Sequence, residues 1–280
     1  MMSGLELLVL ALIVVIAAYS LALLCIAVVT LFETVLWWHH WRSVPIKAID
    51  CPLTGKLIVF VSGTSDYASA SLYDEQISLL EDLKALLPDY QTCLKPFPFQ
   101  GSTAAWCKKF DYWPKTKARY HLPMPVIAMR NFWQSLLLST AKGAYSRDLA
   151  RVLVELVAKS QCRELFLVCG SSGIAMAANS ARLIKQKTDC LIYAASFGGV
   201  LIDRDGLSCI NSYVSIESKN DKWHQSFKNI FGRKGDLAST QAAQVLIDGP
   251  GHMQYLEPQY RQVVAQALLA AVPKGSEVLL

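Results

Sequence analysis

The stretch RELFLVCGSSGIAMAANSARLIKQ, residues 163–186, joins a short apolar run directly to a helix-like segment. The run at 164–169 (ELFLVC) has the length and composition of a buried strand, and residues 169–173 (CGSSG) follow with no linker. A dinucleotide fingerprint (G-x-G-x-x-G) and a phosphate loop (G-x-x-x-x-G-K-[ST]) need spacings that this stretch lacks. Two serines between two glycines at a strand-to-helix turn therefore need another explanation.

A serine on such a turn is typical of a nucleophile elbow, which projects the hydroxyl above the sheet. The turn is so tight that the residues two before and two after the nucleophile must be small. For Ser171 as nucleophile these residues are Cys169 and Gly173. For Ser172 one of them is Ile174, and a β-branched side chain fits poorly there. We therefore predict Ser171 as the nucleophile, with a plain turn that carries no chemistry as the alternative.

Outside this stretch, short apolar segments alternate with helix-like segments. Such alternation predicts an α/β fold with a mostly parallel sheet and helices on both faces. A segment at about 98–140, rich in Trp, Phe, Tyr, Lys and Pro, breaks the pattern and reads as an insertion or cap. The predicted strands are 56–64, 91–97, 164–169, 190–195, 212–217 and 244–248; the predicted helices are 71–87, one capped by Ser146, 172–186 and one opened by Pro258.

A nucleophilic serine needs a base, and the chain offers five histidines. His252 lies on a glycine-rich loop (GPGH, 249–252) between the last predicted strand and the last helix. In a parallel sheet, functional residues gather on the loops at the carboxyl ends of the strands. We therefore predict His252 as the base. The others are placed less favourably, at the apolar N-terminal flank, in the insertion or beside the acid candidate: His39, His40, His121 and His224.

The acid is expected after the strand between the serine and the histidine. The segment SYVSIESKNDKW (212–223) ends a strand near Glu217 and turns through Asp221, which is the first choice. Glu217 stands so near the strand's end that its side chain is expected to point into the sheet. Asp203, after the preceding strand, is the alternative acid, and each of these carboxylates is also compatible with an ordinary solvated surface.

The order Ser171, Asp221, His252 on a parallel sheet resembles the α/β-hydrolase superfamily. LVCGSSGIAMA is similar to the elbow strand and helix of that family, with Cys169 where the family usually has Gly. SKNDKW resembles its acid loop and GPGH its histidine loop. VFVSGT is similar to the turn that carries one oxyanion donor, except that Ser62 replaces a His. The resemblance covers about residues 56–272.

The resemblance implies acyl transfer without a cofactor. His252 would take the Ser171 proton as the hydroxyl attacks an ester-like carbonyl, and Asp221 would orient the imidazole. Backbone N–H groups of Ser172 and of Thr64 or Gly63 would hold the oxyanion. A metal site is not predicted, because the eight cysteines are scattered and form no C-x-x-C pair.

The N-terminal part predicts a transmembrane helix. No charged residue occurs from Leu7 to Phe32, which exceeds the roughly 20 residues that cross a bilayer. A cleaved signal peptide is the alternative, but no Lys or Arg precedes the run and it is too long for a signal core. The basic residues Arg42, Lys47 and Lys56 follow the span, so the positive-inside rule predicts that the bulk of the chain faces the cytoplasm. Unpaired cysteines fit that reducing side.

These observations define three predicted parts. Residues 1–38 form the transmembrane anchor and its interfacial flank, 39–55 a tether, and 56–280 the hydrolase-like domain with its insertion. The expected function is a membrane-anchored serine hydrolase that cleaves an ester or thioester, with membrane lipid and a small acyl-ester or lipid-like substrate as partners. The mild net charge of +5, without a basic run, does not indicate nucleic acid. The alternative is a non-catalytic hydrolase-fold module that binds a partner or lipid at the membrane.

Overall fold

The computed structural model describes residues 3–42, 53–63, 72, 74–94, 125–126, 128–129, 132–133, 144–200, 205–231 and 242–273. The predicted α/β class is confirmed within these residues: a six-stranded sheet, parallel throughout, has the order β2-β1-β3-β4-β5-β6. The strands are β1 (Lys56–Val61), β2 (Gln91–Cys93), β3 (Glu164–Gly170), β4 (Leu191–Phe197), β5 (Ser212–Ser218) and β6 (Ala242–Ile247).

Two pairs of helices cover the sheet. The helices are α1 (Gly4–Arg42), α2 (Asp74–Leu86), α3 (Ala144–Ser160), α4 (Gly173–Lys187), α5 (Lys222–Phe231) and α6 (Pro258–Leu268). Helices α3 and α4 pack together, as do α2 and α6, and both α4 and α6 contact β4. Successive residues of β4 point to opposite faces of the sheet and nearly all are buried, which fits one pair of helices on each face.

The central strands are short and almost wholly apolar because both of their faces are buried. β1 and β3 are inaccessible to solvent along nearly their whole length, and they pair in register from Lys56 with Glu164 to Val61 with Cys169. This pairing brings the turn after β1 next to the turn after β3. The carboxyl ends of the parallel strands thus meet at one edge of the sheet.

The helices differ from the sequence analysis in three places. α3 begins at Ala144, so Ser146 is not its cap: it lies in the first turn, where its carbonyl accepts the Ser180 hydroxyl of α4 at 2.9 Å. α5 was not predicted at all. Helix α1 continues through Arg42, four residues into the segment predicted as a tether, because residues 33–42 contain neither Gly nor Pro.

α1 contains the one stretch in the described part of the chain that is long and apolar enough to cross a membrane, Gly4–Phe32. None of its residues from 3 to 22 is covered by the rest of the protein. Most of the predicted insertion lies outside the described residues. Of its aromatic residues, Phe132 and Trp133 are helical and partly exposed, and Trp133 contacts α1.

Candidate active site

The turn after β3 has the strained backbone of an elbow. Ser171 has φ of 48°, a left-handed conformation that a residue with a side chain rarely adopts. Two hydrogen bonds hold it there: its N–H donates to the Phe197 carbonyl at 3.1 Å, and its carbonyl accepts from the Val200 N–H at 3.0 Å. The strain is thus balanced by bonds to the loop after β4. Strain of this kind is concentrated at functional sites.

The small residues around Ser171 are required by close backbone contacts. A Cβ added to Gly173 would lie 2.2 Å from the Val61 carbonyl oxygen, so no side chain fits there. A Cβ on Gly63 would lie 3.0 Å from the Ser171 Cβ, which shows how closely the turn after β1 approaches the elbow. Cys169, in place of the family's usual Gly, is fully buried in β3, and burial raises the pKa of its thiol. It serves as a small core side chain.

The structure brings the three predicted side chains together in a chain of hydrogen-bonding distances. His252 Nε2 lies 3.0 Å from Ser171 Oγ. On the other side of the ring, His252 Nδ1 lies 2.9 Å and 3.1 Å from the two Asp221 carboxylate oxygens. The imidazole is 15% exposed, the carboxylate not at all. A hydroxyl, an imidazole and a buried carboxylate in this order form the arrangement that activates a nucleophile.

Asp221 is held by groups that sequence reasoning did not identify. The peptide N–H of His224 donates to its Oδ1 at 2.8 Å, and the Tyr255 hydroxyl donates to its Oδ2 at 3.1 Å. Burial alone would raise the pKa of the Asp221 carboxyl, but the hydrogen bond and charge of His252 and the His224 N–H lower it overall. The carboxylate is therefore ionised at neutral pH although it is completely buried.

The loop after β4 passes directly beneath this carboxylate. Gly198 has φ of +55°, and a Cβ there would lie 2.8 Å from Asp221 Oδ2 and 3.1 Å from His252 Nδ1. A side chain at this position would collide with both members of the pair. A glycine at this position lets the loop pass close to Asp221 and His252 without separating the two side chains.

A second charged cluster lies behind Asp221. His224 Nδ1 is 2.8 Å from the Gly199 carbonyl oxygen, and its Nε2 forms an ion pair at 3.2 Å with Glu217, which also binds Lys228 at 2.9 Å. Burial would raise the pKa of Glu217, but its contacts with His224 and Lys228 lower it to about 2. Burial would lower the pKa of His224, and Glu217 reverses this and raises it. Glu217 thus does not face His252; it is a partner of the residue whose N–H holds the acid.

Only some of the predicted oxyanion groups lie among the described residues. Ser172 is the N-cap of α4, so its N–H lies in the positive end of the helix dipole beside Ser171. Gly63 lies against the elbow, whereas Thr64 and the alternative acid Asp203 lie outside the described residues. Ser62, which stands where the resembling family has a His, is buried, and its Oγ accepts a hydrogen bond from Gln76 Nε2 of α2 at 3.1 Å. No cluster of three metal-ligating side chains occurs in the described ranges.

Comparison with known proteins returns α/β hydrolases among the solved structures. One is a dienelactone hydrolase from Anabaena variabilis, with 14% identity and a TM-score of 0.49 over 81% of this chain and 93% of the other. Another is an alpha-beta serine hydrolase homologue from Coxiella burnetii, with 11% identity and a TM-score of 0.41 over 81% and 89%. No protein-family model and no curated protein matches the chain. The likeness to these structures is loose.

Proposed function

We propose that this chain is a membrane-anchored serine hydrolase that cleaves an ester or thioester through an acyl-enzyme. The observation that carries the proposal is the pair of contacts made by one imidazole, 3.0 Å to Ser171 Oγ and 2.9 Å to Asp221 Oδ2. Because Asp221 is buried and ionised, it favours the His252 tautomer with a proton on Nδ1 and leaves Nε2 free to accept the serine proton.

The proposed reaction has two stages, acylation of Ser171 and hydrolysis of the acyl-enzyme. Ser171 Oγ attacks the substrate carbonyl carbon as its proton passes to His252 Nε2, and the N–H groups of Ser172 and Gly63 or Thr64 stabilise the resulting oxyanion. Collapse breaks the carbonyl–leaving-group bond, and His252 protonates the departing alcohol or thiol. A water then attacks the acyl-enzyme by the same route and releases the carboxylic acid. The proposed reaction needs no cofactor.

The two departures from the family pattern leave the proposed chemistry intact. Cys169 contributes only its small volume to the strand, since its buried thiol has a raised pKa and stays protonated. Ser62 contributes a hydroxyl that is already engaged by Gln76. The contacts of His252 with Ser171 and Asp221 favour an enzyme over the alternative of a non-catalytic binding module.

Hydrolysis of short-chain and long-chain nitrophenyl esters by the purified full chain in detergent tests the proposal. We expect turnover by the native protein and its loss in His252→Ala with the circular dichroism spectrum unchanged. Equal turnover by both proteins would contradict the proposed base. Absence of turnover in the native protein with every ester and thioester would favour the binding module instead.

The membrane part of the proposal has its own test. The span of α1 precedes all of Arg42, Lys47 and Lys56, so the domain is proposed to face the cytoplasm. Protease added to sealed, right-side-out vesicles is expected to leave the domain intact and to digest it only after permeabilisation. Digestion in sealed vesicles would contradict this topology. Complete release of the domain by alkaline carbonate would contradict the membrane anchor.

A further inference from the structure

α1 has an uncovered N-terminal part and a C-terminal part with one covered face. Residues 3–22 are exposed on every side, whereas one face is covered from Leu23 onward. At 1.5 Å per residue the uncovered part is about 30 Å long, which is the thickness of the hydrocarbon layer of a bilayer. Lipid would surround this uncovered part from Leu7 onward, because Glu6 is charged.

The covered face of α1 is a single stripe. Its members recur at helical spacing and become more buried along the helix; Thr30 and Thr34 are each 2% exposed. The hydroxyls of these two threonines donate to backbone carbonyls of α1 itself, Thr30 to Ile26 at 2.6 Å and Thr34 to Thr30 at 2.7 Å. Their polar groups are thus satisfied within the helix, and the stripe packs without needing water. It consists of Leu23, Ile26, Ala27, Thr30 and Thr34.

A residue of the downstream chain contacts this stripe. The indole N–H of Trp133 donates to the Ala27 carbonyl oxygen at 3.0 Å, and Phe132 stacks edge-on against the same indole with ring centroids 5.1 Å apart. Phe132 remains 38% exposed. A packed contact between α1 and the domain is expected for a retained helix and not for a signal peptide that is cleaved off. The contact therefore favours a retained helix.

The contact lies at the depth that aromatic residues prefer. If the hydrocarbon layer begins at Leu7, directly after the charged Glu6, about 30 Å of helix ends at Ile26, so Ala27 lies at the boundary with the headgroups. Trp and Phe at this level bury their rings among the lipids, and the indole N–H keeps a polar partner. The exposed ring of Phe132 would face lipid there.

We propose that Phe132 and Trp133 seat the hydrolase domain on the lipid bilayer, with Trp133 docked on the covered stripe of α1 at headgroup level. This inference rests on the proposed membrane anchor. It places a lipid contact in the middle of the chain, in addition to the predicted N-terminal anchor. The domain is then held at the surface by a packed contact as well as by the chain that follows α1, which suits a substrate that partitions into the membrane.

Site-specific photo-crosslinking of the full chain in vesicles of phosphatidylcholine and phosphatidylglycerol tests the proposal. We expect Phe132→p-benzoylphenylalanine to form a lipid adduct severalfold more often than Val263→p-benzoylphenylalanine, although Val263 on α6 is more exposed, at 54%. Equal adduct formation at the two positions, or none at 132, would overturn the proposal.

A second variant tests the docking contact without depending on lipid. Trp133→p-benzoylphenylalanine is expected to crosslink within the chain to the peptide that contains residues 23–34, and crosslinking only elsewhere would overturn the contact. Flotation with the vesicles after carbonate washing is measured in the same samples. Protein that floats but gives no adduct at 132 contradicts the seating and leaves the anchor intact, whereas protein that does not float contradicts both.

Discussion

The Tyr255 hydroxyl and His252 Nδ1 contact the same oxygen of Asp221, at 3.1 Å and 2.9 Å. The two residues lie three positions apart on the loop between β6 and α6, so this short segment supplies both the imidazole and the hydroxyl that contact Asp221. The shared oxygen means that the hydroxyl helps to set the direction of the carboxylate toward the imidazole.

Tyr255→Phe removes this donor and retains the ring, which is 1% exposed and packs on Phe197 with centroids 5.6 Å apart. A hydrogen bond to a charged group contributes about 1.5–3 kcal/mol, so we expect kcat to fall about tenfold or more with KM nearly unchanged. Steady-state kinetics with one nitrophenyl ester checks this. An unchanged kcat would show that the N–H of His224 alone suffices to hold the acid.

Asp221→Asn is expected to cost far more, because an amide favours the wrong tautomer of His252 and does not stabilise the imidazolium. A loss on the order of 10⁴-fold in kcat is typical of this change in serine hydrolases. Asp203→Asn serves as the matched control and is expected to retain activity. The acid assignment is wrong if the two variants exchange their behaviour in initial-rate measurements.

The parts of the site that could be predicted from sequence are those whose signal lies in neighbouring residues. The elbow was predictable because its size limits act on residues within two positions of Ser171. The loop positions of His252 and Asp221 followed from the alternation of strands and helices. Tyr255 was missed because its contact with Asp221 depends on the approach of two loops that are distant in sequence. The N–H of His224, only three residues from Asp221, was missed together with the first turn of α5. The helix α5 was missed because its segment was read only as the turn that follows the acid.

The same distinction applies to the N-terminal region. Composition alone predicted an apolar helix, and the structure has one, but the covered stripe and its contact with Trp133 had no sequence signal. Phe132 is exposed and Trp133 contacts α1, and nothing in the local pattern of residues indicates either placement. A contact that joins residues more than a hundred positions apart is decided by packing.

Gly173→Ala is expected to destabilise the domain by at least about 3 kcal/mol, since the added Cβ would lie 2.2 Å from one backbone oxygen and 2.9 Å from another. Gly55→Ala is the control, because a Cβ there meets nothing within 4 Å. Urea unfolding of both variants in detergent measures the difference. Similar losses in the two proteins would mean that the elbow is not packed against β1 as described.

Glu217→Gln tests the charged cluster behind the acid. The folded-state pKa of Glu217 is lowered from 4.5 to about 2, so its contribution to stability is present above pH 4.5 and is lost as the pH falls through 2. That contribution is on the order of 3 kcal/mol. We expect the native protein to lose more stability than Glu217→Gln between pH 5 and pH 2.5. Glu81→Gln, at an exposed site on α2, is expected to behave like the native protein, and parallel curves for all three would contradict the ion pair.

The most direct test of the central claim is to find which residue reacts with a fluorophosphonate. Mass spectrometry of the labelled full chain, followed by peptide mapping, is expected to show one adduct on Ser171, none in Ser171→Ala, and an undiminished adduct in Ser172→Ala. The reaction requires the hydroxyl that His252 activates, so it reports the proposed chemistry independently of the substrate. Undiminished labelling of Ser171→Ala, or an adduct on another residue of the native protein, would contradict the assignment.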